Sequence, residues 1–257
     1  MAVIRFIGTG EAFDPSLPNT SVLYRGRLQL LIDCGYGVPH ALWRTLRDPE
    51  ALDGIYLSHH HADHCFGLPA LIVWMRVAGR RRPLHLIGGP GTSQWVGALL
   101  ELGYPGACAR PKCYPLQLLE VAPGQIVQVE GVKLRTAPTS HSLPNHALRI
   151  DDSGCSFGYS GDGAPTPATR ALFRDANVVV HECYSATSGV EGHSHAAEVL
   201  ELAAEANIGR ICLVHVEALP ATRQHVRDVI DRHPLASRVL VPNPGDELDL
   251  GAECAEI

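Results

Sequence analysis

The stretch Ser58-His59-His60-His61-Ala62-Asp63-His64-Cys65-Phe66-Gly67-Leu68-Pro69 limits what this chain can become more than any other. Its imidazoles and carboxylate directly follow Leu52-Asp53-Gly54-Ile55-Tyr56-Leu57, whose β-branched and aromatic residues next to a turn-forming Asp-Gly predict a buried strand. The cluster therefore ends a strand and opens a loop. Imidazole nitrogen and carboxylate oxygen are the donors that borderline divalent cations such as zinc take, and crowding them without a cation gains nothing. A stray affinity tag would sit at a terminus with no embedded Asp.

Further strands end on chemistry-bearing residues. Val3–Ile7 runs into Gly8-Thr9-Gly10, Leu28–Ile32 into Asp33, and Val132–Ala137 into Pro138-Thr139-Ser140-His141. Ser156–Tyr159 runs into Gly161-Asp162-Gly163, Val178–Val180 into His181-Glu182, and Ile211–Val214 into His215. Helical spacing follows at 39–46, 68–77 and 95–102, and a longer apolar-periodic helix starts at Ser194 with Glu198 in its first turns. Gly103 to Pro115 reads as a surface loop.

The spacing His59-x-His61-x-Asp63-His64, followed by Gly67-Leu68-Pro69, resembles the metal motif of the metallo-β-lactamase superfamily. The resemblance implies that His59 and His61 serve one metal and Asp63 and His64 a second, with the interposed His60 a neighbour. His141-Ser142-Leu143-Pro144-Asn145-His146 looks like the third motif of ribonuclease Z and its relatives, which makes His141 the remaining ligand of the first metal and His146 peripheral. Asp162 is then the bridging carboxylate and His215 the last ligand of the second metal. Gly192-His193-Ser194 resembles the ribonuclease Z phrase whose His acts on the scissile phosphodiester, a role that passes to His193, with His195 in the first helical turn. Glu182 is read as orienting an imidazole through its second N–H, and Asp63 as accepting a proton besides binding metal. Asp33 has two readings, support of the metal site or a turn residue. The implied fold is an α/β four-layer αββα sandwich in one domain over residues 1–257. The implied cofactors are two divalent ions, zinc with manganese as the alternative, whose shared water becomes a hydroxide nucleophile near neutral pH.

Two departures bear on substrate. Only 21 positions separate His141 from Asp162, which leaves no room for the long arm that commonly grips tRNA in ribonuclease Z, and Leu219-Pro220 stands where that family has Arg-Tyr. A net charge of −6 removes broad affinity for a polyanion, and the dense basic run Arg76–Arg82 reads as a solvated helix end. The expected activity is thus a dinuclear phosphodiesterase on a small or single-stranded phosphodiester, with folded tRNA disfavoured. The alternatives are a carboxylic- or sulfate-ester hydrolase, lactonase or β-lactamase, and, in another class, a metal-holding fold that binds without turnover. No apolar run reaches the ~18 residues of a membrane span, and Met1-Ala2-Val3-Ile4-Arg5-Phe6 has no leader pattern, so the cytoplasm is the expected compartment. The scattered cysteines suit reduced core thiols, Cys108 and Cys113 being near enough to pair under oxidation. A homodimer fits the superfamily's habit.

Overall fold

The structure, a computed structural model, describes residues 2–107, 114–187 and 189–255. Its first sheet takes β1 (Val3–Gly8), β2 (Ser21–Arg25), β3 (Gln29–Ile32), β4 (Gly54–Leu57), β5 (Leu84–Gly88) and β6 (Leu116–Glu120). Its second takes β7 (Ile126–Val129), β8 (Val132–Pro138), β9 (His146–Asp152), β10 (Cys155–Tyr159), β11 (Val178–Glu182), β12 (Arg210–Val214) and β13 (Val239–Leu240). The short β14 (Glu247–Asp249) crosses back to pair antiparallel with β1, giving two seven-stranded sheets in the orders 14-1-2-3-4-5-6 and 13-12-11-10-9-8-7. Each sheet is antiparallel on one side and parallel on the other, the change falling at β3 and at β10.

The helices α1 (Val38–Leu42), α2 (Ala62–Cys65), α3 (Leu68–Val77) and α4 (Thr92–Gly103) belong to the first sheet's outer face. On the second sheet lie α5 (Pro167–Leu172), α6 (Ala196–Glu205) and α7 (Pro220–Asp231), while α8 (Leu250–Ala255) packs against β10 and β1. Side chains of a strand alternate between two faces, so two sheets clad by helices need three apolar layers. Those layers are present. Phe6, Ile32, Leu134, Phe157 and Val180 fill the space between the sheets. Leu31, Ile55, Leu71 and Leu86 meet the first helical layer, and Val179, Leu200, Leu213 and Val226 the second. Each such side chain, fully buried, contributes about 1.5–3 kcal/mol of transfer free energy. The αββα sandwich expected from the sequence is the observed one.

Three local readings are corrected. Arg80 is buried rather than solvated, donating to the carbonyls of Pro49, Leu52, Arg82 and Pro83 and lying 5.2 Å over the Tyr114 ring. Arg76 donates to Ala107 O, and Arg82 to Glu50 O and Asp53, so the basic run ties the α3 end to the loop before β4. Cys155 and Cys254 form a disulfide, because α8 returns over β10 and brings the two Cα atoms to 6.0 Å across 99 positions of sequence. Cys34, Cys65, Cys183 and Cys212 are free and buried, whereas Cys108 and Cys113 lie outside the described residues. Lastly, His195 is the N-cap of α6, its ring accepting the Glu198 N–H, because the Ser194 hydroxyl is committed to Glu182 O. Among the described residues no helix is long and apolar enough to cross a membrane.

Candidate metal centre

The chemistry gathers where β4, β8, β10 and β12 end. The chain leaves β4 through Ser58 and His59, and His61, in extended conformation, caps the one-turn α2 that carries Asp63 and His64. Beyond β8 comes His141, beyond β10 Asp162, and beyond β12 His215. Donor atoms of His59, His61 and His141 lie within 4.8 Å of one another, as do those of Asp63, His64, Asp162 and His215. Nε2 of His59 is 3.0 Å from Nδ1 of His61, which is 3.1 Å from Nε2 of His141. Oδ2 of Asp162 stands 3.4 Å from Nε2 of both His64 and His215 and 3.9 Å from Nε2 of His59, so it faces both groups.

The donor set fits two divalent ions. Nε2 of His64 and Oδ1 of Asp162 are buried with no hydrogen-bond partner, a cost that a cation would remove. Burial, reinforced by the neighbouring His64, holds His59 well below the usual imidazole range and so keeps its lone pair free. For His64 burial opposes charge, but Asp162, Asp33 and Asp63 outweigh it and raise the ring well above that range. For Asp162 burial also opposes charge, and His215 and His64 overcome it, holding the carboxyl well below the carboxylate range.

Outer contacts fix these donors. Asp33, wholly buried at φ 60°, accepts from His64 Nδ1 at 2.7 Å, from the Tyr159 hydroxyl at 2.7 Å and from Ser58 N–H and O–H at 2.8 and 2.7 Å. It is a support of His64 and not merely a turn residue. His215 is also held in the left-handed region, φ 61°, by its N–H to Thr9 O; such strain costs on the order of 1–3 kcal/mol and persists only where the surroundings dictate it. His141 Nδ1 donates to Gly192 O at 2.5 Å. Beside Asp162 the backbone requires glycine at Gly163: its φ is +107°, and a Cβ there would meet Thr139 Oγ1 at 2.6 Å.

Glu182, buried, accepts from the N–H groups of Gly163, Ser194 and Tyr184, and from His193 Nδ1 at 3.2 Å. Although burial opposes charge on His193, this bond outweighs it and raises the imidazole above its usual range. The His193 ring faces the centre 5.1 Å from His141 and 5.8 Å from His215.

Other histidines point elsewhere. His60 turns away, 3.2 Å from Thr92 Oγ1 and stacked on Trp95 at 5.4 Å. His146 opens β9 against Gly89. Cys65 takes the Trp95 indole N–H, and burial pushes its thiol up to about 11, which suits a packed thiol better than a ligand.

A cavity of about 380 Å³ opens over the centre, and Glu11, Phe13, Tyr36, Tyr184 and Val190 share its walls with His61, Asp63, Asp162, His193 and His215. Sequence reasoning missed these five. Phe13 is 86% and Tyr36 53% exposed, so flat apolar rings stand at the mouth. The Tyr36 hydroxyl donates to Ala12 O and Glu11 accepts the Phe13 N–H, which fixes the β1–β2 loop at this rim. The available signal was its place after β1, since strand ends here carry the site.

A family model described as Anti-Pycsar protein Apyc1 matches residues 2–230. The chain is similar to ribonuclease Z of Methanosarcina acetivorans, 27% identical over 275 residues, covering 85% of this chain and 88% of the relative. Its fold is similar to that of the metallo-β-lactamase fold protein YhfI from Bacillus subtilis, with a TM-score of 0.80, 20% identity and coverage of 96% and 98%. It is likewise similar to the short form of human tRNase Z, at 0.78, 19%, 96% and 98%.

Proposed function

This chain belongs to the Anti-Pycsar protein Apyc1 family and is a hydrolase on the ribonuclease Z-like branch of the metallo-β-lactamase superfamily, and we propose that it is a dinuclear phosphodiesterase for small phosphodiesters, cyclic phosphates included. The observation that carries this reading is Asp162 Oδ2, in reach of His59, His64 and His215 at once. His59, His61 and His141 would hold one divalent ion and Asp63, His64 and His215 the other, with Asp162 shared. Zinc suits this donor set, with manganese second. Such ions lower the pKa of a water and neutralise charge on a phosphoryl group.

The protein's own groups supply the rest. Asp63 faces the cavity and accepts the proton of the attacking water. His193, charged through Glu182, donates a hydrogen bond and then a proton to the departing oxygen. Glu182 touches no substrate and acts as the positioning residue. Substrate size follows from the cavity, whose volume suits one nucleotide-sized molecule, and from Phe13, Tyr36 and Tyr184, whose rings suit a planar base or aryl group. Folded RNA would need a cationic surface beyond the cleft, and Arg76, Arg80 and Arg82 are spent on carbonyls and carboxylates.

The test is turnover by zinc- and manganese-loaded protein of a bis-aryl phosphate, a cyclic nucleoside phosphate, an aryl ester, a lactone, a β-lactam and a precursor tRNA. The reading expects the first two to react and precursor cleavage to be weak at physiological salt. Preference for the ester, lactone or β-lactam would replace the phosphodiesterase by the hydrolase alternative, and efficient tRNA cleavage would overturn the size argument.

A further inference from the structure

A second cavity, of about 520 Å³, shares the β1–β2 loop with the one over the metal centre and is walled by Arg5, His40 and Arg44 and by Pro15, Pro18 and Pro244. Its charge is not cancelled. Arg5 and Arg25 share the single carboxylate of Glu247, at 3.1 and 2.5 Å, which leaves one positive charge over. Among the described residues the guanidinium of Arg44, just beyond α1, makes no hydrogen bond or ion pair, and neither does the imidazole of His40 in the last turn of α1. The three prolines stiffen the lining, so a ligand entering would have little backbone to order. A concave site of this size whose lining mixes guanidinium and imidazole donors with Phe6, Ile7, Leu17 and prolines has the character of an anion site for a molecule bearing both a phosphate and a flat apolar part.

We propose that this cavity is a second binding site, for a small phosphate monoester of nucleoside monophosphate size. The site is wired to the catalytic centre through short contacts. Pro18 O accepts from Gly10 N–H at 2.9 Å, Gly10 O from Thr20 Oγ1 at 3.0 Å, and Thr20 Oγ1 lies 3.4 Å from Nδ1 of His215. Asp14 caps the N–H groups of Ser16 and Leu17 on the cavity wall, while Glu11 and Phe13, in the same loop, line the catalytic cavity. A phosphate monoester seated against Arg44 therefore borders the same loop that lines the substrate cavity.

Calorimetric titration of metal-loaded protein with 5′-AMP, and with adenosine as the phosphate-free control, tests this. The expected result is two AMP binding events in the wild type, of which Arg44→Glu weakens one at least tenfold and His40→Ala weakens the same one less, with unchanged melting temperatures. Adenosine should show no event lost in Arg44→Glu. Identical AMP isotherms for Arg44→Glu and wild type, or an adenosine event equally sensitive to Arg44→Glu, would overturn the proposal, the first by removing the site and the second by removing phosphate as what it reads.

Discussion

The two halves of the metal centre are built on opposite plans. His59, His61 and His141 offer imidazole nitrogens alone, and His61 and His141 are only half-buried. Asp63, His64, Asp162 and His215 are all buried and carry two carboxylates, with a third, Asp33, behind His64. A divalent cation would therefore be matched by negative charge in the second group and by lone pairs alone in the first, except where Asp162 reaches across. On the proposed reading Asp162 is what would make the pair a unit, and the second position should be the tighter one.

The largest expected effect follows directly. Asp162→Ala should reduce metal content at both positions and lower phosphodiester turnover by more than about 10⁴-fold, beyond the loss of any single acid or base. Metal analysis after gel filtration checks it; loss of one ion alone would mean that the two groups are independent. Next, His193→Ala should lower turnover by roughly 10²–10⁴-fold while leaving both ions bound. Metal content falling with activity would make His193 a ligand. Third, Asp33→Asn should weaken the second position by about 10–100-fold in metal affinity and affect the first less, because Asp33 bonds His64 directly but reaches His59 only through the Ser58 hydroxyl. Staged chelation sharpens the same contrast: metal should leave in two phases, the first accelerated by His61→Ala and the second by Asp33→Asn. A single phase insensitive to either substitution would refute the asymmetry.

What could be read from the chain in advance depended on how local the information was. His59, His61, Asp63 and His64 are legible because one strand end and one helical turn hold four donors in six positions. His141, Asp162 and His215 each stand singly after a strand, and became readable once that first cluster needed partners. Glu11, Phe13, Tyr36 and Tyr184 lie in irregular segments and reach the cavity only when both sheets have packed. Nothing in their spacing records that. The same holds for β14, three residues long, and for the disulfide, whose cysteines are joined only because α8 folds back. Arg80 misled for another reason: a run of arginines usually lies in water, and here a cage of backbone carbonyls stands in for solvent.

The smallest effect belongs to the residue that sits inside the motif but outside both groups. His60 lies between His59 and His61, yet its neighbours on the chain turn inward while its own ring stacks on Trp95 and meets Thr92 at the start of α4. Burial keeps its pKa below the usual imidazole range, so it brings no charge to the centre near neutral pH. His60→Ala should therefore leave both ions in place and change turnover by less than about threefold, equivalent to under about 0.7 kcal/mol in the barrier. The lost ring contact and hydrogen bond should appear instead in the melting curve, as a destabilisation of about 1 kcal/mol. Should His60→Ala deplete the first position as His61→Ala does, the boundary drawn between ligand and neighbour would be wrong, and the three-histidine plan of the first group with it.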